Sequence, residues 1–185
     1  ILGRTRKFYE YLRSLTEEFE KESHLDYSIS KIVELKLNIN RNCLKELRDD
    51  IESLKTLIKL ASEKYTLTDD IDFDDIRLFS SKCLHTIGDV DSVLFQERDA
   101  EKPKDKDKSE AINHLIYAFR KLGEIVRKIK NFCDKSETRL VNNPFLLLLG
   151  EAGIGKTHFL CDIAKKRITD EYPTITLLGH HFQQF

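Results

Sequence analysis

The residues best suited to chemistry form one short segment, "GEAGIGKTH", which runs from Gly150 to His158 in a chain of 185 residues. It matches the G-x-x-x-x-G-K-[ST] pattern of a phosphate-binding loop at every fixed position. Its glycines let backbone N–H groups curl around phosphate oxygens, where a Cβ would obstruct the approach. Lys156 would bring a positive charge to the β- and γ-phosphates of ATP, and the Thr157 hydroxyl would ligate Mg²⁺. The predicted nucleotide contacts are Gly150, Glu151, Ala152, Gly153, Ile154, Gly155, Lys156, Thr157 and His158.

The sequence on either side of this loop has the order of elements that such a loop needs. The apolar run Phe145–Leu149 predicts a strand that is buried on both faces of a parallel sheet. A helix is predicted to begin at Lys156, and a second strand at Thr174–Leu178 follows a Tyr-Pro break. Residues 141–185 are therefore predicted to be the N-terminal part of an α/β P-loop NTPase domain. The predicted apolar positions of its helix are Phe159, Leu160, Ile163, Ala164 and Ile168.

Residues 1–140 differ from this segment because helical periodicity dominates them. Apolar residues recur at alternating steps of three and four, which predicts four amphipathic helices with narrow apolar stripes. Such stripes are typical of an antiparallel bundle with coiled-coil-like packing. The predicted fold class is therefore mainly α, with a helical bundle followed by the start (β-P-loop-α-β) of the NTPase domain. The four stripes are Phe8, Leu12, Leu15 and Phe19; Leu44, Leu47, Ile51, Leu54, Ile58, Ala61 and Tyr65; Ile76, Phe79, Cys83, Ile87, Val90 and Leu94; and Ile112, Leu115, Phe119, Leu122, Val126, Ile129 and Cys133.

The ends of these helices are predicted from local signals. The second helix is expected to start at about Ser28, although Val33–Ile39 alternates like a strand. The aspartates before the third stripe are expected to cap that helix and to complement its dipole. Glu101–Lys108 has mixed charge and contains a proline, so we expect a linker there, with Ser109 as the N-cap of the fourth helix. The fourth helix is expected to end at about Glu137.

Composition argues against several classes of protein. The net charge of −1 disfavours bulk attraction to nucleic acid. The basic residues between Arg120 and Arg139 are interrupted by acidic ones, which favours a solvated helix face. The longest apolar run is too short to span a membrane, and no signal peptide is visible. We therefore expect a cytoplasmic protein that binds neither membranes nor nucleic acid directly. Because the chain contains no Met, even at position 1, we also expect it to be a piece of a longer protein.

The potential metal ligands do not have the spacing of a resident metal site. The adjacent pair His180-His181 would point to opposite sides of an extended chain. The aspartate-rich segment before the third helix lacks the glycine and the glutamate of a calcium loop. The cysteines are far apart, so we expect reduced, buried thiols, and Mg²⁺ held with the nucleotide is the one metal predicted. These cysteines are Cys43, Cys83, Cys133 and Cys161.

The phosphate loop, the preceding "FLLLLG" and the following "FLCDIAKKR…PTITLLGHHF" together resemble the start of a STAND-type NTPase. STAND proteins are a signal-transducing branch of the AAA+-like P-loop ATPases, and the likeness is to the prokaryotic antiviral members. It implies that ATP holds the whole protein in a state that can form a homo-oligomer after a sensor region engages its ligand. It also implies a Walker B acid, which has no counterpart in these residues, so hydrolysis by this segment alone is not expected.

Two alternatives stay open at this point. The helical bundle could be a membrane-active cell-death effector, with the amphipathic segment Leu2–Phe19 lying in the membrane. The chain could instead belong to another AAA+-like ATPase, such as a helicase loader. The sequence favours a linker or oligomerisation role for residues 1–140, because their stripes are narrow and charges of both signs cover the outer faces.

Overall fold

Helices account for most of the residues that the computed structural model describes, which are 6–63, 70–101, 105–135, 138, 141–142 and 155–169. The prediction of a mainly α chain is confirmed. No strand occurs among those residues, and the predicted strands at Phe145–Leu149 and Thr174–Leu178 lie outside them. The helices are α1 (Arg6–Glu22), α2 (Asp26–Glu34), α3 (Arg41–Glu63), α4 (Phe73–Glu101), α5 (Lys106–Cys133) and α6 (Lys156–Thr169).

The chain divides into two compact units, residues 1–144 and residues 145–185, which contain α1 to α5 and α6 respectively. In the first unit α1, α3, α4 and α5 form a ring, and each of them packs against two neighbours. Glu22 of α1 pairs with Lys121 of α5, and Glu18 pairs with Lys128, so rising residue numbers in one helix meet falling numbers in the other. These contacts are those of an antiparallel bundle.

The apolar stripes read from the sequence form the core of this bundle. Nearly every stripe residue in the described ranges is buried, and the exception, Phe79, packs against the core while partly exposed. Burying a side chain of this size contributes about 1.5–3 kcal/mol relative to leaving it exposed. The stripes are therefore the main source of the bundle's stability. The largest fully buried side chains include Phe19, Leu47, Ile51, Leu54, Ile58, Leu94, Ile112 and Phe119.

The expectation of one long helix from about Ser28 is wrong. The chain forms α2 and α3 instead, and α2 ends in a Schellman motif, in which one residue turns into the left-handed region. Lys36 is that residue, with φ 54, and its N–H donates to the carbonyl of Val33 at 3.1 Å. The Leu37 N–H donates to the carbonyl of Ile32 at 3.2 Å, and both side chains are buried. This apolar pair stabilises a turn that usually ends in glycine, so a lysine there carries no sequence signal.

The bounds of α5 also differ from the prediction. Asp105 is the N-cap rather than Ser109, because its backbone is extended and its carboxylate accepts the Lys108 N–H at 2.9 Å. Ser109 lies inside the first turn and is buried, so its side chain is on the packed face. Of the expected linker, Glu101 is the last residue of α4 and Lys106–Lys108 begin α5, so its described residues are helical except for Asp105. At its other end α5 stops at Cys133, earlier than expected.

The predicted acidic cap on α4 is confirmed. The Asp72 carboxylate accepts the N–H of Asp75 at 2.9 Å, as an N-cap side chain does. Asp74 and Asp75 lie in the first turn, where the positive end of the helix dipole favours negative charge.

Candidate nucleotide-binding site

The described part of the phosphate-loop motif is the junction between Gly155 and α6. Gly155 has φ +84, and α6 begins at the next residue, Lys156. The Gly155 carbonyl already belongs to the helix, because it accepts the N–H of Phe159 at 3.0 Å. The helix thus starts at the lysine, as the sequence predicts.

The backbone at Gly155 explains why this position of the motif is a glycine. A Cβ added there would meet no other atom within 4 Å, so crowding is not the reason. The positive φ is the reason, because L-residues with a Cβ rarely adopt it. A turn of this kind at the amino end of a helix directs unpaired backbone N–H groups outward, and the helix dipole adds positive potential at the same place. The described residues fit an anion such as a nucleotide phosphate.

Four of the predicted nucleotide contacts, Gly155 to His158, lie at this junction in consecutive positions. Thr157 and His158 are exposed. The other predicted contacts lie outside the residues that the structure describes, and they are Gly150, Glu151, Ala152, Gly153 and Ile154.

The rest of α6 shows how little of its apolar surface is covered. Phe159 is 51% exposed, Leu160 is 43% exposed and Ile168 is 62% exposed. Ile163 and Ala164 are half-buried. The helical spacing of these residues is confirmed, but three of them are exposed, and among the described residues none buries the apolar face of α6 as the bundle helices bury one another.

The cysteine thiols also differ in burial between the bundle and α6. Cys83 and Cys133 are buried in the bundle, and burial raises the pKa of each thiol to about 12. Cys43 is half-buried, and its pKa is also raised by burial. Cys161 on α6 is exposed. The expectation of buried thiols is thus confirmed for Cys83 and Cys133 and wrong for Cys161.

The basic residues of α5 are engaged by carboxylates of other helices. Lys121 Nζ lies 2.9 Å from a Glu22 carboxylate oxygen, and Lys128 Nζ lies 2.6 Å from one of Glu18. The hydrogen bond in each pair raises the pKa of the lysine. Arg120 on the same helix pairs with a carboxylate of α4 at 3.3 Å. Much of the positive charge of α5 is therefore neutralised within the bundle.

One surface cleft of about 370 Å³ lies between α2 and the start of α5. Two lysines, Lys31 and Lys108, line the cleft together with three carboxylates, so its net charge is not positive. Lys31 also pairs with Glu34 at 2.8 Å. Asp105 on its wall is the cap of α5. This cleft lacks the excess positive charge that would attract a phosphate. Within the described ranges, no three His, Cys, Asp or Glu side chains are grouped so as to hold a metal ion.

The membrane alternative is tested by the packing of α1. Its apolar stripe, from Phe8 to Phe19, is buried in the bundle core and is not available to a lipid surface in this structure. No helix within the described ranges is both long enough and apolar enough to cross a bilayer.

One residue that the sequence analysis did not single out has a specific role. Asn142 lies three positions before Phe145, and its side-chain amide makes two hydrogen bonds to the main chain of Ile71. The partner is 71 residues away in sequence, so no local pattern indicates it. The signal available was the run Asn142-Asn143-Pro144, which predicts a turn and nothing more.

No protein-family model matches the chain, and no match was found among curated proteins or among solved structures. The functional argument therefore depends on the sequence motif and on the geometry of the residues around Gly155.

Proposed function

We propose that residues Gly150 to Thr157 bind ATP together with Mg²⁺, and that the chain is part of a STAND-type P-loop NTPase. The observation that supports this best is Gly155, whose φ of +84 directly precedes a helix beginning at Lys156. A phosphate-binding loop requires both features at these positions of its motif. The glycine is therefore where the backbone needs one, and the lysine is where the positive end of the helix begins.

In this proposal each residue of the chain has a defined part. The backbone N–H groups around Gly155 bind phosphate oxygens, Lys156 neutralises the β- and γ-phosphates, and Thr157 ligates Mg²⁺. The metal, when bound with the nucleotide, neutralises phosphate charge. As in the family that the motif resembles, nucleotide binding then favours a homo-oligomer of the whole protein, in antiviral signalling in the cytoplasm. The bundle acts as the coupling or oligomerisation region.

The test replaces Lys156 by alanine and measures the affinity for ATP with Mg²⁺ by calorimetry. We expect Lys156→Ala to weaken binding by about 100-fold or more, because the charge that pairs with the phosphates in this proposal is removed. Lys166→Ala is the matched control, since it removes the same charge from the last turn of the same helix. We expect that control to bind within about 2-fold of the unaltered chain, because exposed charges contribute little.

The proposal fails if the unaltered chain does not bind ATP. It also fails if Lys156→Ala binds as tightly as Lys166→Ala, because the motif lysine would then have no special role. A circular dichroism spectrum of each variant shows whether the bundle is still folded.

A further inference from the structure

The side chain of Asn142 is fixed to the bundle by a pair of hydrogen bonds. Its Nδ2 donates to the carbonyl of Ile71 at 2.7 Å, and the Ile71 N–H donates to its Oδ1 at 3.0 Å. One amide side chain thus satisfies both main-chain groups of a residue that is 1% exposed. The Ile71 carbonyl also accepts the N–H of Phe73 at 2.9 Å, so the Ile71 N–H is the group that depends on Asn142, and a buried N–H is costly to leave unpaired.

Two of the residues between α5 and Asn142 are also buried against the bundle. Thr138 is buried, and its hydroxyl donates to the carbonyl of Cys133 at 2.9 Å. Val141 is buried as well. Described residues beyond the end of α5 are therefore still packed on the bundle, at Thr138, Val141 and Asn142.

The start of α4 and the end of α5 are tied together at the same place. Arg77 of α4 donates through Nε to the Asp134 carboxylate at 2.8 Å and through Nη2 to the Cys133 carbonyl at 3.2 Å. Nearby, the rings of Phe8, Phe73 and Phe132 pack together with centroid distances of 5.3 to 6.4 Å. Asn142 is thus bound to the segment that leads into α4, at an end of the bundle where α4 and α5 are joined by side-chain contacts.

Only Asn143 and Pro144 separate this pair from Phe145, where the second compact unit begins. Resting on the proposed nucleotide binding, we propose that the Asn142–Ile71 pair is a latch through which the nucleotide state of the phosphate loop is passed to the bundle. If the chain at Phe145 is displaced, only two residues can absorb that displacement before it acts on the Asn142–Ile71 pair. The structure shows this pair closed; in the proposal it also opens, and a ligand that favours one arrangement shifts the balance between the two.

The test compares Asn142→Asp with Asn131→Asp in the whole chain. Asn142→Asp keeps the shape of the side chain but places a carboxylate oxygen against the Ile71 carbonyl, where the donor was. Asn131→Asp makes the same change on an exposed position of α5. Hydrogen–deuterium exchange at Ile71 and at residues 138–142 is measured for each protein, with and without ATP and Mg²⁺.

We expect exchange of the Ile71 amide in Asn142→Asp to be about 10-fold faster or more, because a hydrogen-bonded buried group becomes open to water. In the unaltered chain and in Asn131→Asp we expect ATP with Mg²⁺ to change exchange at Ile71. In Asn142→Asp we expect that change to disappear while the affinity for ATP stays within about 3-fold, since the residue lies outside the phosphate loop.

The outcomes separate the two proposals. Absence of ATP binding to the unaltered chain overturns the proposed function, and the latch with it. If ATP binds but does not change exchange at Ile71 in the unaltered chain, the latch alone is overturned. The same holds if Asn142→Asp transmits the change as well as Asn131→Asp does.

Discussion

The two compact units use apolar side chains in opposite ways. In the bundle, residues spaced at three and four positions are buried along most of each long helix. In α6, three of the residues with the same spacing, Phe159, Leu160 and Ile168, are exposed to about half of their surface. Apolar residues at helical spacing therefore indicate a helix in both units. They indicate a buried core only where other helices pack against that face. What is specific to α6 is its start, at Gly155 and Lys156.

The largest difference in stability between the two units is expected when one phenylalanine in each unit is replaced by alanine. We expect Phe119→Ala in the bundle core to lower the free energy of unfolding by about 3–5 kcal/mol, because it removes buried surface and leaves a cavity. We expect Phe159→Ala on α6 to change it by less than about 1 kcal/mol, because that ring is half exposed. Urea unfolding followed by circular dichroism measures both values.

Both substitutions exchange phenylalanine for alanine within a helix, so the change in helix propensity is the same for each. A cost for Phe159→Ala as large as that for Phe119→Ala would contradict the comparison. It would show that α6 is packed as tightly as the bundle.

A smaller effect is expected from the buried thiols at high pH. Cys83 and Cys133 have pKa values of about 12 in the folded chain, against 9.0 for an ordinary thiol. Between these values the unfolded chain loses protons that the folded chain keeps, so stability falls as pH rises. From pH 9 to pH 10 we expect each thiol to lower the free energy of unfolding by about 1 kcal/mol.

The measurement is urea unfolding at pH 8, 9 and 10 for the unaltered chain and for the double variant Cys83→Ala with Cys133→Ala. Lysines also titrate in this range, and they are the same in both proteins, so the difference in slope reports the thiols. Equal slopes would mean that the two thiols ionise normally in the folded bundle.

The smallest effect is expected from two glycines, and it differs in sign between the units. Gly155→Ala places a Cβ on a residue with φ +84, so we expect it to destabilise the start of α6 by about 1–2 kcal/mol. Gly88→Ala lies in α4 with no atom within 4 Å of the added Cβ, so we expect it to stabilise the bundle by about 0.5–1 kcal/mol. Hydrogen exchange at α6 and thermal unfolding of the bundle measure the two effects. A stabilising Gly155→Ala would show that the positive φ is not required.

The core of the bundle was predictable because it depends on a repeating pattern. Leu47, Ile51, Leu54 and Ile58 are buried where their spacing puts them, since each helix face is set by 3.6 residues per turn. The cap of α4 was predictable for a related reason, because Asp72 acts on a residue three positions away.

The features that sequence reasoning missed depend on single contacts or on contacts between distant residues. Lys36 adopts a left-handed backbone because Ile32 and Leu37 pack beneath it, and a lysine does not signal that. Asp105 and Ser109 are both good cap residues, and tertiary burial of Ser109 decides between them. Asn142 binds a residue far away in sequence.

At the candidate site, the start of α6 was predictable from the sequence, but the exposure of the rest of that helix was not. The motif places a glycine and a helix start at Gly155 and Lys156, and both are found there. Exposure along α6 was not predictable, because the same spacing in α5 leads to burial. The difference lies in the helices packed around α5, which a local pattern does not contain.

The pairing of Asn142 with Ile71 also determines where the bundle can be cut from the rest of the chain. A shortened protein ending at residue 140 would lose Val141 and Asn142, so the N–H of the buried Ile71 would lose its partner and the Ile71 carbonyl would keep only the N–H of Phe73. One ending at residue 144 would keep the pair and coincide with the end of the first compact unit. The structural end of this bundle is therefore an asparagine side chain beyond the last long helix, and a domain boundary drawn at the end of α5 would cut into the folded unit.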